Sequence, residues 1–384
     1  MRDMHDLNQW LVADGRLTGD ATKIVGTYCS VLVSLGVPLT RVRIAQSYLN
    51  PLLSAWGIIW TPEKTERYTV RATVLDTSAW RGSPFEYVIN TGKTLRQRLK
   101  GQDLSKAHSV YADLAATGAT DFLSVPLAYG DGSIQGTSFT THAEAGFSNE
   151  HIGLIEGSRH ALAAALEPVA MRESQTSLLS TYLGGEPARE IGLGKIKRGE
   201  HKTMSAAIIF ADMRGFTRKS GVLSEERLLT VMGNYFEMVV SAIQDNGGVV
   251  LKFMGDGILA YFNGDHDADS ACEAAAASAL QSLSKLKQHN TDEVKQGREP
   301  IDFVIGVDFG EVTFGNIGSP DRLDFTVVGQ AVNVASRIQD MCKTLGRSTL
   351  LTKRVADRAD INAKSIGLHS VRGIPVDIEL FTLA

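Results

Sequence analysis

Apolar residues in the first part of the chain follow the pattern that is typical of a half-buried sheet. A helical stretch over 21–36 precedes three β-type runs that are rich in Val, Ile, Tyr and Trp. These runs lie at 41–49, 54–60 and 67–74. Gly130-Asp131-Gly132 separates two further runs within 121–142 and predicts a hairpin, and Ser148 is a suitable N-cap for a long helix. Residues 1–170 are therefore predicted to form a mixed sheet closed by a long exit helix.

A polar segment follows this unit. Helical spacing continues to Tyr182, where Gly184-Gly185-Glu186-Pro187 breaks it, and the next stretch, GLGKIKRGEHK, is polar and basic. The basic residues Lys195, Lys197 and Arg198 are interpreted as part of a solvated linker, with a site for a phosphate or an acidic partner as the alternative. Residues 171–203 are predicted to be a helical connector.

From Met204 onward the pattern alternates strands and helices. Helices are predicted over 224–245, 268–287 and 330–345. Strands are predicted at 204–211, in a hairpin over 248–262, in a second hairpin about Gly310 over 301–317, and near 348–351, 366–371 and 377–382. This order predicts an α+β domain of ferredoxin-like type over 204–384, with its helices on one face of the sheet.

Composition narrows the class of protein. A length of 384 residues favours two domains, and a net charge of −4 gives no basic footprint for binding nucleic acid. The acidic start of the chain does not look like a signal peptide, and the uncharged stretch 24–40 is too often interrupted by polar residues to span a membrane. Three widely spaced cysteines fit a reducing compartment. A cytoplasmic protein without a transmembrane segment is expected.

Two carboxylates carry the first chemical signal. Asp212 ends an apolar β-type run in FADMRGFT, and Asp256 lies in the turn of KFMGDG. Carboxylates at strand ends, beside glycines that let backbone approach a ligand, suit divalent cations that hold a polyphosphate. Further on, VNVASR places Asn333 and Arg337 four residues apart, on one face of a predicted helix. Together these residues indicate nucleotide chemistry.

The order of FADMRGFT, KFMGDG, GNIGSPDRLDFTVVG and VNVASR closely resembles that of the class III nucleotidyl cyclases, over about residues 200–384. The chain looks most like the bacterial homodimeric adenylate cyclases in which a sensor domain precedes one catalytic domain. The resemblance implies a catalytic domain over 204–384. The order of elements in 1–170 resembles the GAF/PAS group of small-molecule sensors, and this resemblance is one of topology alone.

The resemblance also implies roles for individual residues. Asp212 and Asp256 would hold two magnesium or manganese ions. The backbone of the segment after Asp212 would wrap the triphosphate, with Gly215 allowing close approach. This segment consists of Met213, Arg214, Gly215, Phe216 and Thr217. Asn333 and Arg337 would orient the ribose and stabilise charge on the α-phosphate, because the arginine fork donates two hydrogen bonds. Arg372 matches a residue that contacts the terminal phosphates in some members.

The base would be selected at two positions. Lys252 lies at the first, where an ammonium donates to N1 of adenine but would be repelled by the hydrogen on N1 of guanine. Thr326 lies at the second, where its hydroxyl can accept from the adenine amino group. Many adenylate cyclases carry aspartate there, so threonine is a departure. The resemblance thus implies ATP as substrate.

The implied reaction forms 3′,5′-cyclic AMP and pyrophosphate from ATP. In this family the metal carboxylates come from one chain and the purine and transition-state residues from its partner, so a homodimer with two composite sites is expected. A catalytically silent nucleotide-binding or dimerisation module and a guanylate cyclase are the alternatives.

The first unit offers fewer chemical signals. Trp56 and Trp60 lie on one face of a predicted strand and are interpreted as core residues. The thiol of Cys29 is expected to be buried. The histidines at 108, 142, 151 and 160 lack metal-ligand spacing. Regulation by an unknown small ligand or partner bound to this unit, transmitted through 171–203, is predicted.

Overall fold

A computed structural model describes residues 1–383. The chain divides into two compact units, of which the first spans Met1–Leu178 and the second begins at Leu179. Among residues 1–383, no helix has the length and apolar character needed to cross a bilayer.

The first unit contains one six-stranded antiparallel sheet, in the order β3-β2-β1-β6-β5-β4. Its strands are β1 (Arg41–Ser47), β2 (Leu53–Trp60), β3 (Thr65–Arg71), β4 (Leu95–Arg98), β5 (Asp121–Ala128) and β6 (Ile134–Thr141). Its helices are α1 (Met4–Trp10), α2 (Ala21–Ser34), α3 (Pro84–Thr91), α4 (Ser109–Ala116) and α5 (Asn149–Leu183), and a π-helical turn over Leu11–Gly15 and a 3-10 turn over Ala72–Asp76 complete it.

Several expectations for this unit are confirmed. Strands β5 and β6 form the predicted hairpin, and the Ser148 hydroxyl accepts a hydrogen bond from the backbone N–H of His151 at the start of α5. Trp56 and Trp60 are only 1% and 6% exposed, in a core shared with α1, α2 and α5. The thiol of Cys29 is buried in the same core.

The second unit is built on an eight-stranded sheet. Its strands are β7 (His201–Met213), β8 (Val249–Met254), β9 (Gly257–Asn263), β10 (Phe303–Gly318), β11 (Leu323–Val328), β12 (Thr349–Thr352), β13 (Ala363–His369) and β14 (Ile378–Leu383). Its helices are α6 (Gly185–Gly192), α7 (Phe216–Val222), α8 (Glu225–Asp245), α9 (Ala268–Lys295), α10 (Gln330–Thr344) and α11 (Lys353–Ala356). Seven strands follow the order β13-β14-β12-β10-β7-β9-β8, and β11 pairs with β10.

The predicted hairpin about Gly310 is wrong. Strand β10 runs unbroken through sixteen residues, and it pairs with β7 from Phe303 to Gly315. Gly310 is extended, and a Cβ there would lie 3.2 Å from the Cβ of Ala331 on α10. The glycine therefore permits the close approach of a helix and makes no turn. The turn lies further on, where β10 leads into β11, a strand that the sequence pattern missed.

The α+β class is confirmed, but the prediction that the helices cover one face is wrong. Along β7, alternate side chains such as Ile209 pack against α8 and α9, while the intervening ones, such as Ile208, pack in a cluster with α10. Because side chains of a strand point alternately to opposite faces, these contacts put helices on both faces of the sheet. Within the predicted helical connector, α5 ends at Leu183 and Gly185–Gly192 forms the short helix α6.

Candidate active site

The structure brings the two predicted metal carboxylates together. Asp212 lies at the end of β7, and Asp256 lies in the turn between β8 and β9. Since β9 pairs with β7 through Ile258 and Ala211, this turn is adjacent to the end of β7. Burial, the charge of Asp212 and a hydrogen bond between the two side chains raise the pKa of Asp256 above its ordinary value. The pair is therefore a site with excess negative charge.

One lysine and one glutamine, both on α10, compensate this charge in part. The Nζ atom of Lys343 lies 2.5 Å from Oδ2 of Asp212, and the amide of Gln339 donates to the same oxygen at 3.5 Å. The side chain of Lys343 is 45% exposed, so it reaches the carboxylates from the protein surface. Sequence reasoning missed both residues, because neither belongs to a recognised motif and only the packing of α10 brings them to Asp212.

A buried tyrosine hydroxyl also lies beside the pair. Tyr235 of α8 is fully buried and its hydroxyl has no hydrogen-bond partner among residues 1–383. Burial, with the nearby charges of Asp212 and Asp256, raises the pKa of Tyr235. An unpaired buried hydroxyl is unusual and indicates a missing partner at this place.

These residues fit a divalent metal site. Paired carboxylates are the hard oxygen ligands that magnesium and manganese prefer, and a metal charge would replace that of Lys343. Among residues 1–383 no group of three or more His, Cys, Asp or Glu side chains could hold a metal ion. A metal at Asp212 and Asp256 would therefore complete its shell with backbone carbonyls, water or substrate oxygens.

The segment after Asp212 offers its backbone rather than its side chains. Gly215 has a φ of +69°, which favours glycine, and it precedes the first turn of α7, where Phe216 and Thr217 lie. The Met213 side chain is buried, and the Arg214 guanidinium donates to the backbone carbonyls of Cys342 and Arg347. Arg214 is thus used within the fold.

The predicted purine-selecting lysine has an acidic partner. Lys252 of β8 donates to the carboxylate of Asp324 on β11. Thr326 lies two residues beyond Asp324 and points to the same side of its strand, while Phe325 and Val327 face the core. Lys252 and Asp324 line a cavity of about 740 Å³, a volume typical of small-molecule sites. Sequence reasoning missed Asp324, because the pairing depends on β11, which it did not find.

Asn333 and Arg337 are exposed on α10, and neither side chain forms an ion pair or hydrogen bond with any other residue of the described chain. They precede Gln339 and Lys343 by six residues each, which corresponds to a rotation of about 120° around the helix axis. The face that reaches Asp212 is therefore not the face that carries Arg337. Arg372 lies in the exposed turn between β13 and β14, and its side chain forms no hydrogen bond or ion pair with the other predicted site residues.

Comparisons with known proteins converge on this unit. Residues 199–383 match the model of the adenylate and guanylate cyclase catalytic domain. An adenylate cyclase of Anabaena cylindrica is 34% identical over 165 residues, which is 43% of this chain and 32% of the relative. Adenylate cyclase 1 of Rhizobium meliloti is 25% identical over 175 residues, 45% of this chain and 26% of the relative. The chain thus spans about a third or less of these curated relatives.

Solved cyclase structures are also similar to the chain. The adenylyl cyclase CyaB from P. aeruginosa is 25% identical, with a TM-score of 0.45, and the match covers 48% of this chain and 96% of that one. The guanylyl cyclase Cya2 is 27% identical, with a TM-score of 0.43, and the match covers 49% of this chain and 94% of that one. With the motif residues in place and the family model matched, residues 199–383 of this chain belong to the family of adenylate and guanylate cyclase catalytic domains.

Proposed function

We propose that the protein is an adenylate cyclase that converts ATP to 3′,5′-cyclic AMP and pyrophosphate at sites shared between two copies of the chain. The observation that carries this proposal is the geometry of α10, which directs Lys343 and Gln339 to the Asp212 carboxylate of its own chain. The same helix leaves Asn333 and Arg337 exposed on another face. A second chain would bring these residues to the substrate.

Each predicted site residue has a separate role in substrate binding or in the reaction. The 3′-oxygen of ATP would attack the α-phosphorus, while the bond from that phosphorus to the β-phosphate oxygen breaks and pyrophosphate leaves. The 3′-hydroxyl proton passes to Asp212 or to water. Arg337 would donate to the α-phosphate oxygens and stabilise the developing charge, while Asn333 would orient the ribose. The backbone of 213–217 and Arg372 would bind the β- and γ-phosphates.

Divalent magnesium or manganese ions fit the carboxylate pair. When bound, two such ions supply Lewis acidity and neutralise phosphate charge. Asp212 and Asp256 would hold them. The ammonium of Lys343, which neutralises part of the same charge in their absence, would have to withdraw.

ATP is the proposed substrate because Lys252 carries a positive donor at the base-selecting position. Its ammonium can donate to N1 of adenine once it turns from Asp324, and Thr326 lies on the same side of β11 as that aspartate. Assays with ATP or GTP, each with Mg²⁺ or Mn²⁺, test this choice. Cyclic GMP as the main product would replace the proposal with guanylate cyclase, and no cyclic product would leave a silent nucleotide-binding module.

The shared site has a separate test. Asp212→Ala and Arg337→Ala chains should each be inactive, but a mixture should regain activity, because heterodimers would hold one intact site. An Asp212→Ala and Asp256→Ala mixture is the matched control, since both changes affect the same half-site and no intact site can form. An inactive first mixture would contradict a shared site.

We also propose that residues 1–178 regulate the cyclase through the connector. Gly184 lines the same cavity as Lys252, and a Cβ there would lie 2.9 Å from the carbonyl oxygen of Val250 on β8. Gly184→Ala should therefore disturb the strand that carries Lys252 and alter turnover of ATP. Gly185→Ala is the control, because no atom lies within 4 Å of its Cβ. Equal kinetics of the two variants would exclude this route.

Three buried free thiols favour the proposed cytoplasmic location.

A further inference from the structure

Two arginines lie next to each other on the face of β1 that is turned away from the main core. Val42 and Ile44 point into the core shared with α2 and α5, and the alternating Arg41 and Arg43 point to the opposite face. Both arginines are half-buried. Two like charges so close on one sheet face repel each other and need a counter-charge.

The chain supplies no such counter-charge. Among residues 1–383, neither guanidinium forms an ion pair, and the Arg41 side chain forms no hydrogen bond at all. Burial and the charge of Arg43 lower the pKa of Arg41. Arg43 is positioned by two aromatic rings, with its guanidinium 4.4 Å from the centre of Tyr68 and 5.3 Å from that of Phe85. Its Nε atom is buried and has no partner.

A buried hydroxyl on the same face also lacks a partner. Thr140 of β6 is directly opposite Arg41, so both side chains point to the same side of the sheet. It is 1% exposed, and its Oγ1 atom forms no hydrogen bond with the described residues. Stacking on Tyr68 and Phe85 explains the position of the Arg43 side chain. It explains neither the uncompensated charge of Arg41 nor the unpaired hydroxyl of Thr140. The unpaired Arg43 Nε atom, the unpaired Thr140 hydroxyl and the uncompensated Arg41 guanidinium therefore belong to one side of the sheet.

We propose that Arg41, Arg43 and Thr140 form a binding site for the oxyanion of a small ligand, either a phosphate or a carboxylate group. Guanidinium groups are the side chains best suited to these planar or tetrahedral acceptors, and a hydroxyl supplies a further donor. The anion would neutralise the two charges and satisfy the unpaired atoms. This site lies wholly within residues 1–178, so it does not depend on the proposed cyclase activity, and it gives the regulatory unit a ligand of stated chemistry.

Binding to the full-length chain tests the proposal. Inorganic phosphate and citrate are titrated separately by calorimetry, which distinguishes the phosphate from the carboxylate source. Hydrogen exchange with and without each anion then locates the site. We expect the wild type to bind at least one of them, with protection of peptides that cover β1 and β6. An Arg41→Gln/Arg43→Gln variant should bind at least about tenfold more weakly, because it loses charge-assisted hydrogen bonds.

Two further variants keep the test decisive. Thr140→Val preserves shape and strand preference and should weaken binding several-fold even if the double arginine variant unfolds. Arg71→Gln removes an exposed arginine of β3 and should bind like the wild type. The proposal would be overturned if the wild type bound neither anion at about 10 mM. It would also be overturned if Thr140→Val and the double variant both bound as tightly as the wild type, or if the anions protected only peptides outside β1 and β6.

Discussion

Two carboxylates at strand ends, one in each unit, differ in how the fold compensates their charge. Asp121 begins β5 and is fully buried, yet Arg96 binds it at 2.7 Å and Arg98 at 3.4 Å, and two backbone N–H groups donate to it at 3.0 Å. Asp212 ends β7 and is 20% exposed. It faces a second carboxylate, Asp256, and has one surface lysine as its counter-charge.

The difference separates a structural charge from a functional one. The carboxylate of Asp121 has its hydrogen bonds and its compensation inside the fold, so no ligand is needed. Asp212 and Asp256 form a like-charged pair whose counter-charge can be displaced, which suits a cation. Arg41 and Arg43 are the same arrangement with the sign reversed, which suits an anion. Incomplete compensation of a pair, rather than burial of a charge, is the common property of the two proposed sites.

The largest expected effect comes from the under-compensated pair. Asp212→Asn or Asp256→Asn should lower cyclase activity by about 10³-fold, because the site loses half of its metal-binding charge. Thermal stability should not fall, since a neutral amide removes one of two repelling charges. Cyclic nucleotide production and thermal unfolding measure the two effects. Asp360→Asn, which changes an exposed aspartate outside the pair, is the control, and a comparable loss of activity in that variant would contradict a specific role of the pair.

The compensated carboxylate should behave in the opposite way. Asp121→Asn should destabilise the first unit by about 3 kcal/mol, because two arginines lose their partner. All four tryptophans of the chain lie in this unit, so tryptophan fluorescence during denaturation reports its unfolding. Asp113→Asn, at an exposed position of α4, should be neutral. A stable Asp121→Asn protein with changed turnover would mean that Asp121 is not structural.

A smaller effect is expected from the displaceable lysine. Lys343→Met should raise the affinity of the metal-binding site by up to about tenfold, because a metal would no longer compete with an ammonium for Asp212. Binding of Mn²⁺ followed by electron paramagnetic resonance measures this without any turnover. Lys285→Met is the matched control, since Lys285 pairs with Asp245 at 3.3 Å away from the site. Unchanged Mn²⁺ affinity would show that Lys343 is a passive partner.

The smallest effect concerns a compensated glutamate within the second unit. Hydrogen bonds from Arg298 and Arg227 lower the pKa of Glu293 from 4.5 to about 2. A lowered carboxyl pKa stabilises the fold above about pH 4.5, and this contribution is lost as the pH falls toward 2. Glu293→Gln should therefore lower the melting temperature by about 2–4 °C at pH 7 and by progressively less in acid. A difference that persists at pH 2 would assign the effect to packing instead.

Much of the fold follows from local signals. The β5–β6 hairpin and the start of α5 were predictable, because a Gly-Asp-Gly turn and a serine cap act through neighbouring residues. The strand β11 and the unbroken path of β10 were not, since Gly310 looks like a turn residue until α10 is placed against it. A glycine has the same local preferences in a turn as in a strand that packs closely against a helix. Only the position of α10, which is distant in sequence, distinguishes the two roles of Gly310.

The sequence alone determined the types of chemical group at the candidate site: two carboxylates, a lysine at the base position, and an asparagine and an arginine four residues apart. Tertiary structure decided how their charges are balanced. Lys343, Asp324 and Tyr235 lie far in sequence from the groups that they approach, and Arg41 is matched with Thr140 only by strand pairing. Electrostatic compensation depends on distances in space, and those distances are set by packing across the whole sheet.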